Sequence, residues 1–473
     1  MVPTLLDEAK ALVLKGDADG AIRKCSEYLN GDFFHDEALF MLGGCFMAGG
    51  MNGLAAVCTS AAIDARRAQN KTFPEALMNL GGIYKSEHKN DVAAKIWAEA
   101  LKQETIPRER SKIMTNIAGL YVNESQPETA IEWCNKALKE DPKNHGAMVN
   151  RGMAHLELGH WREGWEGWRE TYATGDRRRR FYGDTIPEWN GQMGKSVIVY
   201  GDQGVGDELY YASMLTEMGQ ICRKVTLDCH PRLPALFKRS FPDFDVHGTR
   251  KDLTELPWLR DCDAEAAVGI ADLPCFLRNT ADEWGAGKAY LQADNGWASF
   301  GAPAPPNGDL RLHEGPRQKR IGLSWTGGTK RTRTDLRSLP LEALEPILRA
   351  RPDAQWFSLQ YTPDAARQVC ELEERTGIRI AHYPGWVECF DYDRTASFVA
   401  SLDLVVTVAT TVHHLAGALG IPVWTLVPSR PSWRYQVKGE RLPWYASARL
   451  FRQEADGDWS GPIAQVAKEL ESL

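Results

Sequence analysis

Between Asp403 and Pro428 the chain runs for about two dozen residues without a charge, DLVVTVATTVHHLAGALGIPVWTLVP. An uncharged run of that length suits either a helix crossing a bilayer or a buried strand–helix–strand unit. The residue types choose the second. Residues 404–408 and 423–427 are β-branched runs of buried-strand character, and 412–419 is helical in composition. Gly420 suits the helix end and Pro422 forbids its continuation. Two strands joined by a helix in so short a span predict a βαβ unit of a parallel sheet covered on both faces.

Ala409, Thr410 and Thr411 stand at the first turn of that helix. Unpaired N–H groups and the helix dipole favour an anion there, two hydroxyls add donors, and no carboxylate repels a phosphate. The competing reading makes one threonine a simple N-cap.

Upstream, residues up to 172 repeat. Leu39, Leu42, Gly43, Phe46 and Ala55 recur as Leu77, Leu80, Gly81, Tyr84 and Ala93, then as Met114, Ile117, Ala118, Tyr121 and Ala130. A fainter copy precedes them (Leu5, Ala9, Leu12, Ala21), and a fifth begins at Met148 and Gly152. Starts at Asp36, Pro74, Ser111 and His145 give the tetratricopeptide (TPR) period. Such units stack into a superhelix with a concave groove, since each exposes an apolar face until its neighbour covers it. The groove suits a protein, peptide or glycan partner; a purely structural or homodimer-forming array is the alternative. Trp161, Trp165 and Trp168 share one helical face and read as a cap for the next domain.

A second βαβ pattern opens at Ser196: strand 197–200, the loop GDQGVG at 201–206, helix 207–218 and strand 225–228. Its glycines resemble a dinucleotide fingerprint, and Asp228 falls near the position of a ribose-binding acid. The spacing is G-x-x-G-x-G, however, and Asp207 and Glu208 at the helix start would repel a pyrophosphate. The loop glycines are read as bringing backbone close to a ligand. Asp207 is either a general base or a helix-capping carboxylate. After a Pro/Gly-rich hinge at 301–316, strand 321–325 leads into a loop with Gly327, Gly328, Lys330, Arg331 and Arg333. In an open parallel sheet this loop and the turn at 409–411 face one crevice, a sensible clamp for a diphosphate unless the cations are merely solvated.

Bulk properties narrow the function. A net charge of −7 argues against a nucleic-acid partner, and the run of arginines at 177–180 reads as a solvated linker. The first residues carry charges throughout, so no signal peptide is expected. Ten scattered cysteines, with neither a Cys-x-x-Cys pair nor histidines at zinc spacing, predict a reduced, cytoplasmic chain without a metal centre.

The blocks 187–215, 321–341, 403–428 and 442–453, taken in order, resemble bacterial TPR-fused glycosyltransferases whose catalytic half is similar to the heptosyltransferases of family 9. The repeat-plus-transferase layout also resembles that of O-linked N-acetylglucosamine transferases. The resemblance implies an α-solenoid (1–172), a linker (173–194), and a GT-B pair of Rossmann-like lobes, 195–300 for acceptor and 317–473 for donor. It implies an inverting transfer from a nucleotide-diphosphate sugar, with no metal or other cofactor. By position, the Gly206–Asp207 pair corresponds to the place of the base, Asp207, and Gln203, Gly204 and Gly206 to the acceptor loop. Lys330, with Arg331 beside it in sequence, corresponds to the phosphate lysine, and Thr410, Thr411 and His414 to the donor helix. Many relatives carry Asp where this chain has Ala409, which leaves the donor sugar open. Asp391 and Asp393 imitate the metal motif of another glycosyltransferase class but stand before a helix. Two rivals remain: a non-catalytic TPR scaffold with a degenerate nucleotide-binding module, and, more remotely, a nicotinamide-dependent dehydrogenase.

Overall fold

The computed structural model describes residues 4–249, 253, 255–294, 318–328, 332–387 and 390–473. The chain divides into two compact units, Met1–Ala154 and His155–Leu473.

The first unit is a helical array of TPR type: α1 (Leu5–Leu14), α2 (Ala18–Leu29), α3 (Asp36–Ala48), α4 (Asn52–Ala68), α5 (Pro74–Ser86), α6 (Asn90–Gln103), α7 (Pro107–Asn123) and α8 (Pro127–Glu140). Helix α9 (His145–Glu157) carries the chain across the boundary. Helices α1 to α8 each pack on their sequence neighbours within that series. The recurring positions are the seam: Ala55, Ala93 and Ala130 are fully buried, and Leu39, Leu42, Leu77 and Leu80 are buried beside them. A Cβ at Gly81 would fall on the Trp97 indole. That indole lies close enough to donate Nε1–H to the Met78 carbonyl at 2.9 Å.

The turns inside the hairpins share one backbone solution. Gly16, Gly50, His88 and Ser125 follow α1, α3, α5 and α7, all in the left-handed region, at φ 79°, 72°, 61° and 50°. A side chain is strained there and glycine is not. Ser125 also buries a hydroxyl without a hydrogen-bond partner among the described residues. His88→Gly and Ser125→Gly are each expected to raise stability by about 1 kcal/mol. A lower denaturation midpoint in either would overturn this account of the turns.

The second unit starts with α10 (Trp161–Arg169) and contains two parallel sheets. The first comprises β1 (Ser196–Tyr200), β2 (Lys224–Cys229), β3 (Asp245–Gly248) and β4 (Ala266–Gly269), ordered β3-β2-β1-β4. With it come α11 (Val205–Tyr211), α12 (Leu215–Ile221), α13 (Pro234–Ser240) and α14 (Pro274–Leu277). The second comprises β5 (Arg320–Ser324), β6 (Gln355–Ser358), β7 (Ile380–His382), β8 (Leu404–Val408), β9 (Val423–Val427) and β10 (Ala448–Arg452), ordered β10-β9-β8-β5-β6-β7. Its helices are α15 (Glu345–Ala350), α16 (Ala365–Thr376), α17 (Pro384–Val387), α18 (Tyr392–Ala400), α19 (Thr411–Ala418) and α20 (Ser460–Glu471).

The uncharged stretch is β8, α19 and β9. Strand β8 pairs with β5 on one side and β9 on the other, so all five of its residues are buried. That position, and not a bilayer, accounts for the missing charges. Among the described residues no helix is long and apolar enough to cross a membrane.

The tryptophan face of α10 packs on the α/β half as a cap. Trp165 and Trp168 donate their indole N–H groups to the carbonyls of Arg278 (2.7 Å) and Ala271 (2.9 Å). Both rings meet Trp433 edge-on. The two sheets are joined by Arg239 of α13, which grips Asp393 of α18 through two contacts of 2.5 and 2.7 Å. Asp391 caps α18, accepting the Asp393 N–H at 3.0 Å. Both carboxylates of the metal-like motif therefore have structural roles.

Candidate functional site

From β5 the chain moves outward through β6 and β7, then returns to the other side of β5 with β8. The connections leaving β5 and β8 diverge, which opens a crevice at the carboxyl ends of the strands, the usual ligand position in such sheets. The loop after β5 and the turn after β8 meet there. A Cβ at Gly327 would lie 2.8 Å from Thr410 Cβ and 3.0 Å from the Ala409 carbonyl oxygen, so only glycine allows this approach. Arg337 donates to the Ala409 carbonyl (3.2 Å) and to Thr332 Oγ1 (2.6 Å). A cleft of about 30 Å³ is lined by Arg333, Arg337 and Arg430 together with Ala409, Ser432 and Tyr435. Lys330 and Arg331, the cations singled out from sequence in this loop, lie outside the described residues.

Thr410 occupies the N-cap position of α19 but makes no side-chain cap bond. The simple capping reading therefore finds no support at Thr410, and of the first-turn N–H groups that of His413 goes to the Thr410 carbonyl at 3.0 Å. Thr410 is buried and Thr411 partly exposed.

The first sheet supplies the facing wall. A Cβ at Gly206 would come within 3.0 Å of Thr411 Oγ1 and 3.5 Å of His414 Cδ2, so the start of α11 abuts the start of α19. Asp207 projects beside it, its side chain 28% exposed. One oxygen is 2.6 Å from Arg434 Nη2, and the other accepts the Gly204 N–H at 3.3 Å. Asp207 thus caps its own helix and also reaches the interface between the sheets. Gln203 donates to the Asp202 carbonyl at 3.2 Å. Glu208, the neighbouring carboxylate, is buried and accepts the His230 N–H at 2.7 Å, which makes it a strut of the loop.

His414 and His413 are buried in the fold. Burial, reinforced by Arg434 and Arg337, pushes His414 down to about 3. Burial, with His414 alongside, pushes His413 well below the ordinary 6.5. His414 therefore meets the crevice as a neutral imidazole, its Nδ1 3.2 Å from the Tyr445 hydroxyl. As pH falls below 6.5 the unfolded chain takes up a proton at each histidine before the folded chain does, so stability declines toward acid. The slope is about 1.4 kcal/mol per pH unit for each histidine. His414→Gln is expected to remove one such increment between pH 6 and 4 in denaturation measurements. An unchanged slope would show that His414 titrates normally.

The arginines at 177–180 are not a solvated linker, because two of them are buried. Arg177 binds Asp202, its Nε at 2.7 Å, and Asp272, its Nη1 at 2.8 Å. Arg180 lies 3.7 Å from Asp228, which also accepts the Tyr182 hydroxyl at 3.0 Å. Asp228, the ribose-like acid of the sequence, is therefore occupied by the chain's own side chains. Burial pushes its carboxyl above the usual range, with Arg180 pulling the other way.

Sequence reasoning did not single out Arg337, Arg430 or Arg434. The available signal was position: Arg430 and Arg434 follow directly on the carboxyl end of β9, where an α/β sheet presents its ligand loops. Among the described residues no group of three or more His, Cys, Asp or Glu side chains is placed to hold a metal ion.

These features define a class: a TPR-type helical array joined to an α/β half with an arginine-lined crevice. No family model matches the chain. It is 28% identical over 378 residues to Protein FlbA of Caulobacter vibrioides (strain ATCC 19089 / CIP 103742 / CB 15), a match covering 76% of this chain and 61% of that protein. The chain thus spans less than two thirds of that relative's length. Over 61 residues it is 39% identical to photosystem I assembly protein Ycf3 of Synechococcus sp. (strain CC9902), covering 13% of this chain and 35% of that protein. Among solved structures, MamA matches with a TM-score of 0.31 at 21% identity, over 36% of this chain and 94% of that one. PilF of Pseudomonas aeruginosa matches with a TM-score of 0.35 at 15% identity, over 50% of this chain and 90% of that one.

Proposed function

We propose that the chain is an inverting GT-B glycosyltransferase that moves a sugar from a nucleotide diphosphate to an acceptor hydroxyl without a metal. The observation that carries this reading is an arginine-lined cleft that includes Ala409, just before an uncapped helix start, with the start of α11, which bears Asp207, abutting that same helix from the opposite sheet. Asp207 takes the proton of the acceptor hydroxyl as its oxygen attacks the anomeric carbon. The bond from that carbon to the diphosphate breaks, and its electron pair leaves on the phosphate oxygen. Arg333, Arg337 and Arg430, with Lys330 and Arg331 of the same loop and the Thr410–Thr411 turn, stabilise the departing charge. His414, being neutral, offers hydrogen bonding and no charge. The helical array recruits a protein, peptide or glycan acceptor. Its apolar groove of about 620 Å³, lined by Val13, Phe40, Met41 and Phe73 among others, is the place for it.

Titration calorimetry with UDP, GDP, ADP and NAD tests the donor half. One diphosphate should bind better than NAD. Arg337→Ala and the pair Thr410→Ala/Thr411→Ala should each lose roughly 1–3 kcal/mol of that binding, about one to two decades in affinity. Binding of none of them, or of NAD alone, would reject the reading.

One further reading has support: a scaffold that binds a nucleotide without turnover. Ala409 replaces the aspartate of many relatives, and Asp207 is ion-paired. A chain that binds a diphosphate but neither transfers nor hydrolyses any sugar offered would decide for it.

A further inference from the structure

The ion pair between Asp207 and Arg434 links the two halves of the crevice. Asp207 stands on the third residue of α11, beside the first sheet. Arg434 follows β9 of the second sheet, and its neighbours Ser432 and Tyr435 line the cleft with Arg333, Arg337 and Arg430. The guanidinium carbon lies over the Trp433 ring, 4.4 Å from its centroid. The Arg434 side chain is 15% exposed. Its Nη2 goes to Asp207, while its buried Nε has no hydrogen-bond partner among the described residues. A guanidinium carries five N–H donors in a planar fork, and a single-oxygen contact uses it poorly. A diphosphate offers more charge and a bidentate match.

We propose that Arg434 is a donor-responsive latch, an inference that rests on the glycosyltransferase reading above. In the empty crevice it holds Asp207. When the donor's diphosphate arrives beside Arg333 and Arg337, the guanidinium turns to it and Asp207 is released to take the acceptor's proton. Donor binding and base release are then one linked equilibrium. The empty enzyme presents no free base, and the base appears only when there is a sugar to transfer.

Linkage gives a test with an unusual sign. If Asp207 competes with the diphosphate for Arg434, neutralising Asp207 strengthens diphosphate binding. A guanidinium latched about nine-tenths of the time would give roughly a tenfold gain on release. Titration of the full chain with UDP, GDP and ADP should therefore find Asp207→Asn about tenfold tighter than the natural protein for whichever nucleotide binds. Arg434→Gln should bind it more weakly, and Arg434→Lys should fall between. In the Arg434→Gln background, adding Asp207→Asn should change nothing. Melting temperatures identify any variant that fails to fold, and the lysine variant carries the comparison if the glutamine one does. A diphosphate that binds equally or less well to Asp207→Asn than to the natural protein makes the pair a structural staple and overturns the latch alone. Absence of diphosphate binding in every variant overturns the reading of the crevice beneath it.

Discussion

Arg177→Ala is expected to cost the second unit about 3–5 kcal/mol, the loss typical when one partner of a buried ionic group is removed. The side chains of Arg177, Asp202 and Asp272 are 2%, 0% and 2% exposed. The guanidinium also stacks on Tyr172, 4.3 Å from its ring centroid. Burial by itself would lower the Arg177 pKa, but Asp202 and then Asp272 hold it above its ordinary value. Alanine would leave two carboxylates in the interior without a counter-charge. Against a typical total stability of about 5–15 kcal/mol, that change alone brings the unit near unfolding. Arg177→Met combined with Asp202→Asn and Asp272→Asn should recover much of the loss, because neutral groups of similar shape carry no desolvated charge. Denaturant titration of the three proteins checks both statements. A loss below about 1 kcal/mol in Arg177→Ala would mean that the cluster behaves as an exposed pair.

Asp207→Asn is expected to lower sugar transfer by about 10²–10⁴-fold, the usual contribution of a general base. Asparagine keeps the shape and can still accept the Gly204 N–H, so α11 retains its cap and the melting temperature should hardly move. A purely capping aspartate would behave in the opposite way, with near-normal transfer in Asp207→Asn and lost stability in Asp207→Ala. Full activity of Asp207→Asn would leave the base unassigned. Glu208 is a poor substitute, since it is buried against the loop and holds the His230 N–H.

In the second sheet β8 and β9 were legible because each is a continuous apolar run rich in β-branched residues. Residues 404–408 and 423–427 are β8 and β9 to the residue. The strands that sequence reading missed, β3, β4 and β10, lack that character. Ala266-Ala-Val-Gly269 has the composition of a helix or a loop, and it is a strand because β1 lies alongside it. Propensity over four residues is weak, and pairing to a neighbour already in place decides.

The candidate site divides along the same line. The turn at Thr410–Thr411 and the loop carrying Asp207 could be read locally, since a helix start that follows a strand favours an anion when no carboxylate occupies it, and a carboxylate there is visible in the sequence. Arg434 and Arg337 could not, because nothing near them in sequence names their partners. Arg434 and Asp207 stand on different sheets, and Arg337 reaches Ala409 across 72 positions of chain.

Periodicity and composition by themselves determined the helical repeats, the parallel α/β half and the burial of the uncharged stretch. These depend on interactions between residues a few positions apart, or on the apolar character of whole segments. The tertiary structure decided the state of the charges. Four arginines in a row read as solvated until Asp202, Asp228 and Asp272 were brought around two of them, from positions as far as 95 residues away. A charge is buried only where an opposite charge waits, and which charges meet is a property of the folded chain.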